Sequence, residues 1–305
     1  MDAAVHSKPE VVIAGEANID VLLYGLPETL PLERELLATQ MNLSLGGSSA
    51  ITAHNLAVLG TRVSLLSVAA DDVFAQLCLA DLKAVGVDLS QVRRAQAGAA
   101  TGVSVLLQHE RARRTLTYPG TTALLRMEDL DLEYIAAARH LHLASYFLQT
   151  GLRKDVPALL EFCKQAELTV SLDPNDDPTG EWPGELLDLL QYVDILMPNE
   201  RELCRLAHED DSERAISKLR ELVPTLIVKQ GRRGAVARQA GQRLMSPGVD
   251  AHFVDAVGAG DSFNAGFLHG YLQGWELERC LQLGNITGAF STTAVGGTLA
   301  FRDRG

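Results

Sequence analysis

Cysteine is scarce in this 305-residue sequence, and the spacing of the few that are present excludes two kinds of stabilisation. No two of the four cysteines form a C-x-x-C pair, so neither a disulfide framework nor a zinc site is indicated. We expect reduced thiols in the core at Cys78, Cys163, Cys204 and Cys280.

Basic residues and long apolar runs are also lacking. The chain has 27 Lys and Arg against 39 Asp and Glu, a formal net charge of -12. Nucleic-acid surfaces normally need clustered basic residues, so small polar substrates are expected instead. No apolar run is long enough to span a bilayer, and residues 1–10 lack the apolar stretch of a signal peptide. A cytoplasmic enzyme without a membrane or nucleic-acid partner is therefore expected.

The residues that are present indicate an α/β fold with a large core, since 47% of them are hydrophobic. Short apolar runs alternate with longer helical patterns, which is typical of a doubly wound, mostly parallel sheet. Strands are predicted at 11–14, 140–144, 169–172, 194–197, 225–228 and 253–254. Polar residues follow these strands, among them Asn18, Asp20, Ser145, Asp173, Asn175, Asn199 and Lys229. Because the carboxyl ends of parallel strands share one edge, a single cleft can hold them all.

Two segments do not fit this alternation. Residues 36–45, and the pair 102–108 and 114–118 around the polar turn His109-Glu110-Arg111, resemble extended antiparallel pieces. They predict either a separate small antiparallel β-lid or edge strands of the main sheet. No repeat, low-complexity tract or linker is present. One domain over 1–305 is therefore expected, with lid strands inserted around 20–45 and 100–120.

The segment 254–267 places a glycine turn, a carboxylate and a helix start within a few residues. Apolar residues at helical spacing predict a helix that begins near Gly260, whose first N–H groups have no intrahelical partners. Gly258 and Gly260 lack the side chains that would keep a phosphate away from those groups. Asp261 beside such an anion suits a base that accepts a hydroxyl proton, although an Asp at this place also caps helices.

A second glycine loop, Gly46-Gly47, precedes a helix that ends at Gly60. Backbone N–H groups and two serine hydroxyls at a helix start can bind a polyol, and they can equally serve as a helix cap. No functional role is predicted for His54 or Asn55 within this helix.

Taken together, the segments resemble the ribokinase family, also called the PfkB carbohydrate kinases, over nearly the whole length. Five pieces carry the resemblance in the family's order, namely 15–20, 46–47, 197–202, 229–234 and 255–266. The resemblance implies a ribokinase-like doubly wound sheet with a small lid. It also implies transfer of the γ-phosphoryl group of ATP to a sugar hydroxyl.

Roles for individual residues follow from the resemblance. Asp261 would be the catalytic base, and the N–H groups of Gly258, Ala259, Gly260 and Asp261 would form an anion hole. Asn199 and Glu202 would bind Mg²⁺ through water. The residues near the nucleotide would be Asn199, Lys229, Gly231 and Gly234.

On the sugar side, the resemblance assigns the substrate to Asp20, Asn18, Gly46 and Gly47. Ile51 departs from the asparagine that many members carry and cannot form its hydrogen bonds, which puts ribose or fructose specificity in doubt. Asn18 or Asn55 are candidates to compensate for it.

Two further features concern ions. Ser48 lies at a position where some relatives carry a positively charged residue. The lack of that charge in this chain favours an uncharged substrate. Many members also bind potassium, which in this chain would lie near Asp255, Val257 and the loop 295–298.

The sequence therefore predicts a kinase of a sugar or sugar-like alcohol that forms a homodimer through exposed lid strands. A nucleoside kinase of the same fold is the alternative, with Tyr146 and Phe147 as candidates for a base pocket. A non-catalytic ligand-binding regulator is the alternative from another class.

Overall fold

A computed structural model describes residues 8–109 and 113–302. Glu110 and Arg111 of the predicted polar turn, and residues 1–7 of the polar start, lie outside the described residues. In the described part, all four cysteines are free, and three of them are buried. No helix among residues 8–109 and 113–302 is long and apolar enough to cross a membrane.

The described residues form two sheets. Their strands are, in chain order, β1 (Val11–Ala14), β2 (Asn18–Tyr24), β3 (Gln40–Gly46), β4 (Val63–Ala69), β5 (Val92–Arg94), β6 (Val103–Gln108), β7 (Arg113–Tyr118), β8 (His140–Ala144), β9 (Thr169–Asp173), β10 (Ile195–Leu196), β11 (Thr225–Lys229), β12 (Ala235–Gln239) and β13 (Gln242–Ser246). The main sheet has the order β13-β12-β11-β10-β9-β8-β1-β4-β5, and the small sheet has the order β3-β2-β6-β7.

Helices cover both faces of the main sheet. They are α1 (Ser48–Val58), α2 (Val73–Ala84), α3 (Leu132–Ala136), α4 (Val156–Gln165), α5 (Glu185–Leu189), α6 (Glu200–Ala207), α7 (Ser212–Leu219), α8 (Ala259–Leu272) and α9 (Leu277–Ser291). Alternate residues of β1 enter different cores, because successive side chains of a strand point to opposite faces. Val12 packs in the core that contains α4 and α6, and Val11 packs in the core that contains α1 and α8.

The main sheet confirms the predicted doubly wound architecture. β1 pairs in parallel with β4 on one side and with β8 on the other. The chain therefore reverses its direction of winding between β1 and β8, and such switch points open a ligand crevice. The predicted strand at 253–254 is wrong. These residues form an irregular connection, and both apolar side chains are exposed rather than paired in the sheet.

The small sheet confirms that the lid segments do not belong to the edge of the main sheet. Its outer pairs, β2–β3 and β6–β7, are antiparallel as predicted, whereas its central pair, β2–β6, is parallel. Between β2 and β6 the chain forms β3 of the small sheet and then β4 and β5 of the main sheet. It returns to the end of the small sheet at which β2 begins, so β6 runs parallel to β2. β2 also corrects the position of Asn18 and Asp20, which lie in a strand of the small sheet instead of the loop after β1.

Candidate active site

Helix α8 begins at Ala259, one residue earlier than predicted, and its N-cap is Gly258. Gly258 has φ 72°, and a Cβ there would lie 2.4 Å from Gly297 Cα, so glycine is required on both counts. The Ala259 N–H already donates to the Ala256 oxygen at 3.3 Å. The N–H groups of Gly260 and Asp261 follow in the first turn, where a helix leaves its donors free for an anion.

Asp261 is buried beside this turn. Burial, with the nearby Asp173 carboxylate, raises the pKa of Asp261 to about 6. Lys229 and a hydrogen bond from Ser48 act in the opposite direction. A carboxylate with this pKa is ionised at neutral pH and is still a usable proton acceptor.

Lys229, at the end of β11, forms a buried ion pair in front of α8. Its Nζ donates to Asp173 Oδ2 at 2.5 Å and to Asn264 Oδ1 at 3.3 Å. Asn264 Nδ2 also donates to Asp173 Oδ2, at 2.6 Å. Burial is the largest single influence on the pKa of Lys229 and lowers it, but the charges of Asp173, Glu202 and Asp261 together outweigh burial, and the net shift is upward. The Nζ lies 3.5 Å from the position of a Cβ on Gly260, so this cation faces the anion turn.

Asn199 and Glu202 form a capping box at the start of α6. Glu202 N donates to Asn199 Oδ1 at 3.0 Å, and Asn199 N donates to Glu202 Oε2 at 2.9 Å. Burial, followed by the charge of Asp173, raises the pKa of Glu202 to about 7. The capping box gives Asn199 and Glu202 a structural role at the start of α6. It also holds the Glu202 carboxylate near the ion pair of Lys229 and Asp173.

A pocket of about 370 Å³ opens beside the glycine turn and has the size of small-molecule sites. Gly231 and Gly234 line it, as the sequence predicts for a nucleotide loop. Arg232 stacks on Phe253 at its rim, 5.3 Å from the ring centroid. Lys229 and Gly260 line the same pocket and connect it to the anion turn.

Asp20 and Asn18 lie in β2 of the small sheet, across the crevice from the glycine turn. Burial, followed by the Asp261 charge, raises the pKa of Asp20 to about 7. A Cβ on Gly46 would lie 2.2 Å from Asp20 Oδ1, so glycine there makes room for the carboxylate. Asn18 Oδ1 accepts from Thr122 Oγ1 at 3.0 Å and is buried under Gly102.

Sequence reasoning missed Glu16, which follows β1 at the switch point. Its Oε1 accepts from Ser145 Oγ at 2.7 Å, and its Oε2 accepts from Ser49 Oγ at 2.9 Å. Burial raises the pKa of Glu16 despite these donors. Its position after a strand end was the available signal, as it was for Asp173, which the sequence placed at this edge without a role.

Ile51, which replaces the asparagine of many family members, and the nearby Asn55 both have structural contacts. Ile51 packs against the glycine turns at 258 and 297. Asn55 Nδ2 donates to Ser262 Oγ at 2.9 Å and to the Gly297 oxygen at 3.0 Å, so it joins these turns and does not face Asp20.

Asp255 and Val257 lie together where the small sheet meets the main sheet. Asp255 Oδ1 accepts from Val257 N at 3.1 Å, and Oδ2 accepts from Gly296 N at 3.1 Å and from the Tyr24 hydroxyl at 3.2 Å. Gln108 Nε2 adds a longer contact to Oδ1 at 3.5 Å. Protein donors thus occupy both carboxylate oxygens.

The Asp261 carboxylate and the Lys229 cation lie at the start of α8, and the Asp20 carboxylate lies across the crevice from them. This arrangement suits phosphoryl transfer. The pattern of the pfkB family carbohydrate kinases matches residues 8–304 of this chain. The chain belongs to the pfkB family. It is therefore a phosphotransferase that acts on a hydroxyl group, and the resemblance drawn from the five motifs is confirmed.

Individual members of the family are similar along most of their length. An ATP-dependent ribose-1-phosphate kinase of Halopiger xanaduensis is 32% identical over 283 residues, 92% of this chain and 91% of the relative. A fructokinase of Klebsiella pneumoniae is 32% identical over 308 residues, 95% of each chain. An E. coli protein described as a ribokinase II, solved with ATP and Mg²⁺, shares the fold with TM-score 0.82 at 24% identity, covering 95% of this chain and 94% of that chain.

Proposed function

We propose that this pfkB kinase transfers the γ-phosphoryl group of ATP to a sugar hydroxyl, with Asp261 as the base. The observation that carries the proposal is the buried Asp261 carboxylate at the start of α8, with its pKa raised to about 6. The N–H groups of Gly258, Gly260 and Asp261 stabilise the charge of the phosphoryl group in transfer, whereas the Ala259 N–H already donates to the Ala256 oxygen. Lys229 supplies a cation to the same group. The whole chain, 1–305, acts as one kinase domain.

Mg²⁺ fits this site through water. In the described part of the chain, no cluster of three or more His, Cys, Asp and Glu residues suits direct coordination of a metal. Glu202 Oε2 is used by the capping box, and its buried carboxylate with the side chain of Asn199 can hold water of a hydrated ion. When bound, Mg²⁺ neutralises phosphate charge.

Glu202→Gln is expected to raise the Mg²⁺ concentration for half-maximal activity by about tenfold, because the negative charge is lost while an amide oxygen still caps α6. The KM for the sugar should change little. Magnesium titrations of both proteins at fixed ATP measure this, with Glu200→Gln in the same turn as the control. An unchanged titration would leave Glu202 with its capping role alone.

We propose that Asp20 and Asn18 bind sugar hydroxyls, with Gly46 and Gly47 allowing close approach. Asp20→Ala is expected to lower kcat/KM for the sugar by about 5- to 150-fold, because a buried hydroxyl loses its acceptor. The KM for ATP should barely move. Kinetics with each substrate varied in turn measure the split, and equal losses for both would make Asp20 structural.

A phosphorylated sugar is a second candidate substrate, and Arg113 favours it. Strand pairing places Arg113 on the same face of the small sheet as Asp20, and its charge lowers the pKa of that carboxyl. Arg113 is exposed, and among the described residues no ion pair engages it. A similar protein is named a ribose-1-phosphate kinase, which is consistent with a cation at this place.

A screen of ATP consumption over sugars, sugar phosphates and nucleosides tests the proposed function. Activity with a sugar or sugar phosphate supports it, and Arg113→Met should raise KM only for a phosphorylated sugar. Exclusive activity with nucleosides would contradict it. Tyr146 and Phe147 are buried, packed on each other and near Trp182, so they do not form an open pocket for a base.

For a potassium ion near residues 255–257, backbone oxygens are better candidate ligands than the Asp255 carboxylate. Both oxygens of that carboxylate already accept hydrogen bonds from protein donors. Within the described residues, the Thr298 hydroxyl is buried without a hydrogen-bond partner, and it belongs to the loop 295–298 that the resemblance implies for potassium. We propose that carbonyl oxygens of 255–257 and the Thr298 hydroxyl would hold such an ion.

We also propose a cytoplasmic homodimer without nucleic-acid or membrane partners. The face of the small sheet that points away from the site carries exposed apolar residues, including Met41, Leu43, Leu116 and Tyr118. A second copy would cover this patch. Sedimentation should show a dimer that Leu43→Glu with Leu116→Glu converts to a monomer. A monomeric parent protein at assay and higher concentrations would contradict the dimer.

A further inference from the structure

One face of β2 extends from the proposed sugar site to the segment that precedes the glycine turn. Asp20, Leu22 and Tyr24 are alternate residues of this strand, so their side chains point to the same face. Leu22 packs with Val257, which directly precedes the N-cap of α8. The Tyr24 hydroxyl donates to Asp255 Oδ2 at 3.2 Å. The strand that carries Asp20 therefore also contacts the start of the anion site.

Asp255 joins the two loops that meet at the glycine turn. Its Oδ1 accepts from Val257 N at 3.1 Å in its own loop, and its Oδ2 accepts from Gly296 N at 3.1 Å in the other loop. The loops touch at Gly258 and Gly297, where a Cβ on Gly258 would lie 2.4 Å from Gly297 Cα. Because such close packing leaves no room for independent adjustment, a displacement of the Asp255 carboxylate also displaces the turn.

The small sheet supplies two further donors to the Asp255 carboxylate. Besides the Tyr24 hydroxyl, Gln108 Nε2 of the neighbouring β6 makes a longer contact to Oδ1 at 3.5 Å. The backbone donors of Val257 and Gly296 already join the two loops, so the Tyr24 hydroxyl is not needed to close the turn. It connects the turn to the sheet that carries Asp20.

We propose that Tyr24 is a positioning residue, which acts through Asp255 to align the glycine turn with a sugar bound at Asp20. The inference rests on the proposed function, with the sugar at Asp20 and the phosphoryl group at the turn. A sugar that fixes β2 then also fixes the turn. Sugar and ATP each bind more tightly when the other is present, because a coupling between two sites is reciprocal.

The test is Tyr24→Phe, which removes the hydroxyl and keeps the ring. The sugar is the best acceptor found in the ATP-consumption screen, and the nucleotide probe is Mg-AMP-PNP. In calorimetry, the parent should bind Mg-AMP-PNP about tenfold more tightly with saturating sugar than without it. Tyr24→Phe should bind the probe with one Kd in both states, close to that of the sugar-free parent.

Turnover gives the second readout of the same variant. At saturating sugar and Mg-ATP, kcat is expected to fall about tenfold, the lower end of the scale for a hydrogen bond to a charged group, since Tyr24 is only partly buried. Saturating KCl in every assay prevents a change in potassium binding at 255–257 from affecting the result.

Tyr134→Phe is the matched control. The Tyr134 hydroxyl donates to Asp88 Oδ2 at 2.6 Å, so the same substitution removes the same kind of hydrogen bond. Asp88 bridges Ser64 near the start of β4, at the end of the main sheet opposite to the site. The kcat of Tyr134→Phe and its ratio of Kd values without and with sugar should equal those of the parent.

The outcomes separate this inference from the proposed function. An unchanged ratio of Kd values in Tyr24→Phe, while Asp20→Ala loses activity toward the sugar alone, would overturn the role of Tyr24 and leave the proposed function in place. A parent protein that binds Mg-AMP-PNP equally with and without sugar would do the same. Equal losses for sugar and ATP in Asp20→Ala would overturn the sugar site and the role of Tyr24 together.

Discussion

Asp261→Asn is expected to lower kcat by about 10² to 10⁴, the usual contribution of a positioned base. The amide keeps the size of the side chain, but it cannot take the proton of the acceptor hydroxyl. Initial rates at saturating ATP and sugar measure the effect, and ATP binding by calorimetry should survive.

The same variant should be more stable than the parent protein above pH 7. Burial raises the pKa of Asp261 in the folded state to about 6, from an ordinary value of 3.8. A raised carboxyl pKa stabilises the fold below the unfolded pKa, and that contribution is lost as the pH rises through about 6. The ionised carboxylate is therefore a cost to the fold at pH 8, which a neutral amide avoids.

Urea unfolding at pH 8 and pH 4 separates function from folding. Asp261→Asn should gain stability relative to the parent at pH 8 and lose that advantage at pH 4. Near-native turnover would contradict the base, and a loss of stability at pH 8 would show that the carboxylate is held by contacts stronger than its burial cost. Asp188→Asn in α5 is the control, because it lies outside the site.

The glycine turn and the strand ends were predictable because local rules decide them. A helix start with free N–H groups follows from the sequence around Gly258, and parallel strands bring residues such as Lys229 to one edge whatever their separation in the chain. The same rules failed for Asp20. Only residues 15–17 separate β1 from β2, so no loop of appreciable length marks the point where the chain leaves one sheet for the other.

The polar contacts at the switch point between β1 and β8 were not predictable in the same way. Ser48 meets Asn175 across 127 positions, and Glu16 meets Ser145 across 129. Short polar side chains have no periodicity that identifies such partners, and tertiary packing decides them. For Asn199 and Glu202, local chemistry predicts a capping box and the family motif predicts a metal role, and one geometry is compatible with both.

Lys229→Met is expected to lower the free energy of unfolding by about 3 to 5 kcal/mol, the cost of leaving one partner of a buried ion pair uncompensated. The exposed side-chain fractions are 10% for Lys229 and 1% for Asp173, so water cannot replace the lost cation. Chemical unfolding at pH 7 measures the loss. Arg94→Met is the control, because its ion pair with Asp71 is exposed and should contribute less than about 1 kcal/mol.

Adding Asp173→Asn to Lys229→Met separates the structural role of the lysine from its proposed role toward phosphate. The double variant removes the uncompensated charge, so most of the stability should return. Turnover should not return, because the cation that faces the anion turn beside Gly260 is still missing. Recovery of turnover together with stability would show that Lys229 serves the fold alone. Recovery of stability without turnover assigns the cation to phosphoryl transfer, since a merely structural lysine becomes dispensable once its partner is neutral.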